Sequence, residues 1–231
     1  MIHLVLTSAV NTPYGVFSAE QREQHLADNC RHLRSRFPDA NIIVAECSPT
    51  RLDEAQESRI NQLADQLHIY SNEPHLQDCY SRWRHEAIHK NLGETWCLAQ
   101  VLDSISPGDG DIVAKMSGRY RIQDDFRWQY KKGKITLGHG PSPTGNPIAM
   151  SDIRFWYPSR LFYWGAESHA FMTKAMMEMH KTLLEHVSSG RYTDIEHCLY
   201  HHIPKEIINC TLPGKIGIEG ELAASGETVR D

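Results

Sequence analysis

Short apolar runs alternate with longer amphipathic stretches over residues 1–70, and nothing else in the chain restricts its fold as strongly. Residues 2–6 form a compact apolar strand, and residues 18–37 a helix that Ser18 caps, Gln21 completes as a capping box, and Pro38 stops. Residues 42–45 read as the next strand, 51–66 as a polar amphipathic helix and 67–70 as a third strand. Such a β-α-β-α-β opening favours a parallel sheet covered by helices, whose ligands bind beyond the carboxyl ends of the strands. Thr7, Ser8 and Glu46 fall at those ends.

Residues 76–105 are helical in pattern, with a break expected at Asn91-Leu92-Gly93. They lead through Ser-Pro-Gly-Asp-Gly-Asp into a strand starting at Asp111, which empties into Lys115, Ser117, Gly118, Arg119 and Tyr120. Two guanidinium groups (Arg119, Arg121), an ammonium, a hydroxyl and a glycine at a strand end suit phosphate, because Arg and Lys offer charge-assisted donors and Gly lets backbone N–H groups approach. A solvated strand end is the plain alternative. Another strand is expected at 134–137, followed by a Gly- and Pro-rich stretch at 138–147 that reads as an active-site flap or a surface loop. The aromatic runs at 154–157 and 161–164 could stack on sugar rings, but such runs more often fill a core. Residues 166–187 and 194–202 read as helices, the second ended by Pro204, and the tail from Gly214 as short extended pieces and turns.

With 231 residues, 40% of them hydrophobic and 23% charged, the chain fits one globular domain with a sizeable core. A net charge of -5 argues against a general nucleic-acid binder but leaves room for a local basic groove holding a phosphorylated small molecule. The N-terminal apolar run lacks the basic flank and cleavage site of a signal peptide, and no run approaches the ~18 apolar residues of a membrane span. The six cysteines include no CxxC pair, which suits reduced thiols in the cytoplasm, with peripheral attachment to a membrane left open.

Three constellations could carry chemistry. His85-Glu86-Ala87-Ile88-His89 has the HExxH spacing of a zinc hydrolase, though no following third-ligand pattern accompanies it. In the 194–202 helix, His197 and His201 are spaced for a metal, while Glu196 sits in the first turn, where the helix dipole favours a charged carboxylate that can accept a proton from a hydroxyl. An ordinary helix cap explains the same acidic residues. Asp109-Gly110-Asp111 matches the DxD of metal-dependent sugar transfer only in letters, because it precedes its strand, and it reads as a turn.

Taken in order, these pieces resemble a glycosyltransferase of the GT-A type. The strand ending in Thr7-Ser8, the alternating units behind it, the Asn91-Leu92-Gly93-Glu94 helix and the strand it feeds are similar to that fold's nucleotide-binding half. The Lys-x-Ser-Gly-Arg-Tyr segment resembles one in poorly characterised bacterial and viral capsule or lipopolysaccharide transferases, where it takes the place of the DxD. Gly165-Ala166-Glu167-Ser168-His169-Ala170-Phe171-Met172 resembles the turn that receives the sugar, and Ile195-Glu196-His197-Cys198-Leu199 resembles the Glu-Asp-x-x-Leu segment that carries the base.

The resemblance implies an α/β, GT-A-like (Rossmann-like) single domain, its mainly parallel sheet flanked by helices. A nucleotide-binding half would span 1–125 and an acceptor and catalytic half 126–231. It further implies sugar transfer from a nucleotide-sugar donor to a glycan or lipid-linked acceptor in surface polysaccharide synthesis, with inversion, Glu196 as base and Asp194 orienting it. Thr7, Ser8, Lys115, Ser117, Gly118, Arg119 and Tyr120 would bind the donor, Arg121 would support the leaving group, and Glu167 and His169 would face the sugar. The departure at the DxD leaves two arrangements open: a manganese or magnesium ion, or Lys115 and Arg119 neutralising the diphosphate without a metal. Two alternatives stand beside this reading, a zinc hydrolase using His85 and His89 and a non-catalytic nucleotide- or glycan-binding module.

Overall fold

The structure, a computed structural model, describes residues 1–144, 153–211, 216–222 and 224–230. Its elements run β1 (Ile2–Ser8), α1 (Ala19–Arg36), β2 (Asn41–Glu46), α2 (Glu54–Asn61), β3 (Gln66–Ile69), α3 (Pro74–Arg82), α4 (Glu86–Ser104), β4 (Ile112–Ser117) and β5 (Arg121–Ile122). There follow β6 (Ile135–Leu137), β7 (Ser142–Pro143), β8 (Phe155–Trp156), β9 (Leu161–Gly165), α5 (His169–Ser188), α6 (Ile195–His202), β10 (Ile208–Cys210), β11 (Ile218–Glu221) and β12 (Thr228–Arg230).

β1 is buried continuously from His3 to Thr7, as a strand covered on both faces must be. Successive residues point to opposite faces, so Val5 joins a core built with α3, α4, α5 and α6, while Leu4 and Leu6 join one built with α1 and α2. The main sheet has seven strands in the order β10-β6-β9-β4-β1-β2-β3. All run parallel except β9, which is antiparallel to both β4 and β6. A three-stranded sheet, β12-β11-β5, and the β7-β8 pair complete the fold.

The capping box of α1 forms as its sequence requires, Ser18 accepting from the Gln21 N–H and Gln21 returning to the Ser18 backbone. Two expectations need correction. α2 is shorter than 51–66, because a second capping box, Asp53 with Gln56, starts it later. α4 is unbroken through Gly93: a Cβ there would lie 2.4 Å from the Tyr80 hydroxyl and 3.3 Å from the Cys47 carbonyl, so this glycine serves close packing rather than a break. The break falls between α3 and α4, at residues 83–85. The aromatic run in β9 is core, buried from Leu161 to Gly165, whereas Phe155 remains 38% exposed. Of the flap, Gly145, Asn146 and Pro147 lie outside the described residues, as does Gly214 in the tail. Among the described residues, no helix is long and apolar enough to cross a membrane.

Candidate active site

β1, β2 and β4 end together, with Thr7 paired to Ser117 and Ser8 to Glu46 in register. Beyond these ends lies a cleft with about 650 Å³ of open space. Thr7, Ser8, Ser117 and Arg119 line it from the strand ends, Arg22 from α1, and Glu86, His89, Lys90 and Glu94 from α4.

The cleft floor is a buried polar chain. Glu94 accepts from the Thr7 hydroxyl at 3.1 Å and forms an ion pair with Lys115, whose ammonium also donates to the Ser159 carbonyl at 2.7 Å. The Ser159 hydroxyl donates in turn to the Glu196 carboxylate at 2.5 Å. Burial alone would push the Glu94 pKa up, yet Lys115 and Lys90 outweigh it and hold the carboxyl below its usual range. Lys90 is the counterpart: surrounding protein disfavours its charge, but Glu196 and then Glu94 outweigh that and raise its pKa. Lys90 therefore stands charged between the cleft and Glu196, with its surface open to solvent.

Gly118 draws α1 against the end of β4. A Cβ there would meet Leu26 Cδ1 at 2.9 Å and the Thr7 carbonyl at 3.2 Å, and Asn29 of α1 donates to the Gly118 carbonyl at 3.0 Å. Arg22 lies one helical turn before Leu26, so the same contact brings its guanidinium to the cleft beside Arg119. Arg22 is fastened through donation to the carbonyls of Tyr14 and Phe17, and burial and the Arg119 charge lower its pKa. The Arg119 Nε donates to the Glu221 carbonyl at 2.9 Å, leaving its outer nitrogens free of that bond.

The cleft thus gathers Thr7, Ser8, Ser117 and Arg119, with Gly118 beneath them; Glu196 does not line it and connects to its floor through Ser159 and Lys115. Other expected residues stand elsewhere. Lys115 is fully buried and occupied by Glu94 and Ser159, so it is a structural ion and not a phosphate ligand. Tyr120 is 2% exposed, its ring packed in the core near the guanidinium groups of Arg119 and Arg160. Arg121 points to Asp28, 3.6 Å away, on the surface. Asp194 does not orient Glu196; it caps α6 by accepting from the His197 N–H and takes the His197 imidazole at 2.5 Å, which raises that histidine's pKa. Ser159 is the group that holds Glu196.

The largest correction concerns Glu167 and His169. Because β9 is antiparallel, Gly165 pairs with Ile112 at the amino end of β4, and the segment after it emerges at the opposite edge of the sheet. There Glu167 accepts from the Tyr130 hydroxyl and the Gly133 N–H, both at 2.6 Å, and His169 donates to the carbonyls of Leu102 and Ile105.

The same edge holds Asp109-Gly110-Asp111. Gly110 has φ +81°, as the expected turn needs, and Asp111 accepts from the chain's amino group and from Gly108 N–H. At the strand end where a DxD would hold a divalent ion stand Ser117, Gly118 and Arg119 instead, and among the described residues no group of three or more His, Cys, Asp or Glu could bind a metal. That strand end offers a hydroxyl and a guanidinium where a DxD would offer two carboxylates. The HExxH reading loses its basis too: His85 is the non-helical cap before α4, and His89, buried, is bonded through Nε2 to the Tyr80 carbonyl at 3.1 Å.

Sequence reasoning missed Arg22, Lys90 and Ser159 as site residues and saw Glu94 only as part of a helix. Glu86, Lys90 and Glu94 form an i, i+4 ladder on one face of α4, and that charged stripe in a helix otherwise rich in buried residues was a readable signal. Arg22 and Ser159 carry no such mark, since a tertiary contact places each of them.

No protein-family model matches the chain, and no curated protein matches it in sequence. Solved structures do match in fold. A crystal structure of the galactosyltransferase LgtC in complex with donor and acceptor sugar analogs superposes with a TM-score of 0.53 at 11% identity, covering 90% of this chain and 73% of LgtC. A second LgtC structure, that of an active-site mutant, matches at 0.53 and 10% identity, over 90% and 72% of the two chains. The fold is GT-A-like: a mainly parallel seven-stranded sheet flanked by helices.

Proposed function

We infer that this chain is a nucleotide-sugar-dependent glycosyltransferase, with residues 1–125 forming the nucleotide-binding half and 126–231 the acceptor and catalytic half. The observation that carries this reading is the buried chain from Thr7 through Glu94, Lys115 and Ser159 to Glu196, which links a carboxylate to the floor of a guanidinium-lined cleft at the strand ends. The likeness to LgtC supports it at the level of fold.

In the reaction, Glu196 removes the proton from an acceptor hydroxyl as that oxygen attacks the anomeric carbon with inversion, and the nucleoside diphosphate leaves with the electron pair of the broken bond. Arg119 stabilises the leaving charge, and Thr7, Ser8 and Ser117 contact the donor. A glycan or lipid-linked acceptor of surface polysaccharide synthesis, reached from the cytoplasm by a chain peripheral to the membrane, is the setting this reading carries from the Lys-x-Ser-Gly-Arg-Tyr segment.

Glu196→Gln tests the base. Turnover should fall roughly 10²- to 10⁴-fold with donor affinity little changed, and product NMR should show inverted anomeric configuration. Intact turnover removes Glu196 from that role. Donor binding without release of nucleotide to any acceptor would make the chain a binding module.

A further inference from the structure

Two guanidinium groups meet at the cleft and, among the described residues, their hydrogen-bond partners are backbone carbonyls. Arg22 of α1 bonds Tyr14 and Phe17, and Arg119 bonds Glu221. Among the described residues, neither has a carboxylate within ion-pair distance. Their charges disfavour one another enough for Arg119 to depress the Arg22 pKa, second only to burial. A fold does not assemble two like charges at the mouth of a cleft for stability, and Gly118 forces the assembly by letting Leu26, and with it Arg22, approach the strand end. Of the two carboxylates lining the cleft, Glu94 is already neutralised by Lys115, while Glu86, with Glu46 behind it, offsets part of the repulsion on Arg22 without forming an ion pair with it. Lys90 adds a third cation on the opposite wall. The chain as a whole carries -5, so this cationic concentration is local.

We propose that Arg22 and Arg119, one from α1 and one from the end of β4, clamp the diphosphate of the donor and do so without a divalent cation. Guanidinium forks match phosphate oxygens bidentately and stay charged, so the pair supplies the neutralisation that a metal-binding acidic motif would otherwise provide. Of the Asp residues that could have formed such a motif, Asp111 is committed at the other edge of the sheet and Asp109 lies exposed in the turn beside it. The proposal rests on the transferase reading only for what carries the diphosphate.

The test is calorimetric titration of the full chain with UDP, GDP, CDP and ADP, their nucleosides, and inorganic pyrophosphate, each in EDTA and in manganese. The expected result is that pyrophosphate and at least one nucleoside diphosphate bind in EDTA, with manganese changing the affinity by less than about threefold. Arg22→Gln and Arg119→Gln should each weaken that binding roughly ten- to a hundredfold, the loss expected for one charge-assisted contact. Arg22→Lys should recover only part of it, since the charge returns without the fork. Nucleoside affinity should stay unchanged in all three variants; a parallel loss would mean that Arg22 merely holds the Tyr14–Phe17 loop, and would overturn the proposal. So would diphosphate binding that requires manganese, diphosphate binding indifferent to Arg22, or none in either condition. Arg22-dependent binding without sugar transfer would sink the transferase reading and leave the clamp standing. Transfer that needs manganese would do the reverse.

Discussion

Lys115 and Arg119 belong to one basic segment, and burial separates their roles. On β4 the Lys115 side chain shares a core with Val113 and Phe162, with its ammonium 5.7 Å from the Phe162 ring centre, while Arg119 has passed the strand end and reached solvent. An ammonium with no exposure persists only if it is paired, and Glu94 and the Ser159 carbonyl pair it. Removing one partner strands the other, so Lys115→Met should cost about 3–5 kcal/mol in denaturant melts. Adding Glu94→Gln should restore part of the loss by removing the uncompensated carboxylate. A Lys115→Met protein of unchanged stability but impaired diphosphate binding would return this residue to the ligand. Gly118 offers a second check at the same scale: Gly118→Ala must displace Leu26 or β1, with an expected cost of roughly 1–3 kcal/mol and weaker binding wherever Arg22 contributes.

Among the helices, α3, α4 and α5 are tied by a histidine pair, His180 buried and His75 half-buried. Thr95 on α4 donates its hydroxyl proton to the Asn91 carbonyl at 2.8 Å, so the His180 Nδ1, 3.1 Å from the Thr95 hydroxyl oxygen, must donate to that oxygen. His180 Nε2 is then an acceptor, and His75 on α3 donates to it at 2.7 Å. A proton added to His180 would take away that acceptor, so the bond would survive only with the His75 proton moved to Nδ1, and the new charge would lie in a buried ring. Accordingly burial, and then the neighbouring His75, push the His180 pKa down from 6.5 to about 4. The unfolded chain thus takes up a proton near 6.5 where the folded one does not, so the stability this group contributes is present above 6.5 and is lost as pH falls toward 4. The loss should be on the order of 3 kcal/mol, and His180→Gln should flatten the fall in Tm across that window. An unchanged pH profile in the variant would remove the pair from the account.

At the scale of the molecule, the alternation of residues 1–70 was enough to give the parallel sheet and the edge where ligands bind, because burial on two faces leaves continuous apolar strands. The direction of β9 was not legible: Leu161 to Gly165 is apolar throughout and fits either direction, and the choice is made by pairing with β4 and β6. That one reversal carries Glu167 and His169 from the expected sugar site to the far edge. For the same reason a charged strand end could be read locally, whereas Arg22 and Ser159, brought in by distant segments, could not. The reversal is testable by separating stability from chemistry. His169 donates to the carbonyls of Leu102 and Ile105, where α4 ends, at 2.9 and 3.1 Å, and takes a weak bond from the Trp164 indole at 3.4 Å. His169→Ala should therefore lower stability by about 1–3 kcal/mol, the cost of leaving buried carbonyls unpaired. Glu167→Gln, at an exposed position, should change stability by less than about 1 kcal/mol. Neither substitution should change diphosphate affinity or turnover by more than about twofold at a temperature where both proteins are folded. Glu196→Gln, at the carboxyl edge, should do the opposite, depressing turnover with Tm nearly intact. If Glu167→Gln instead abolished transfer, the donor sugar would have to lie at the amino edge of β4, and the placement of the whole cleft would fall with it.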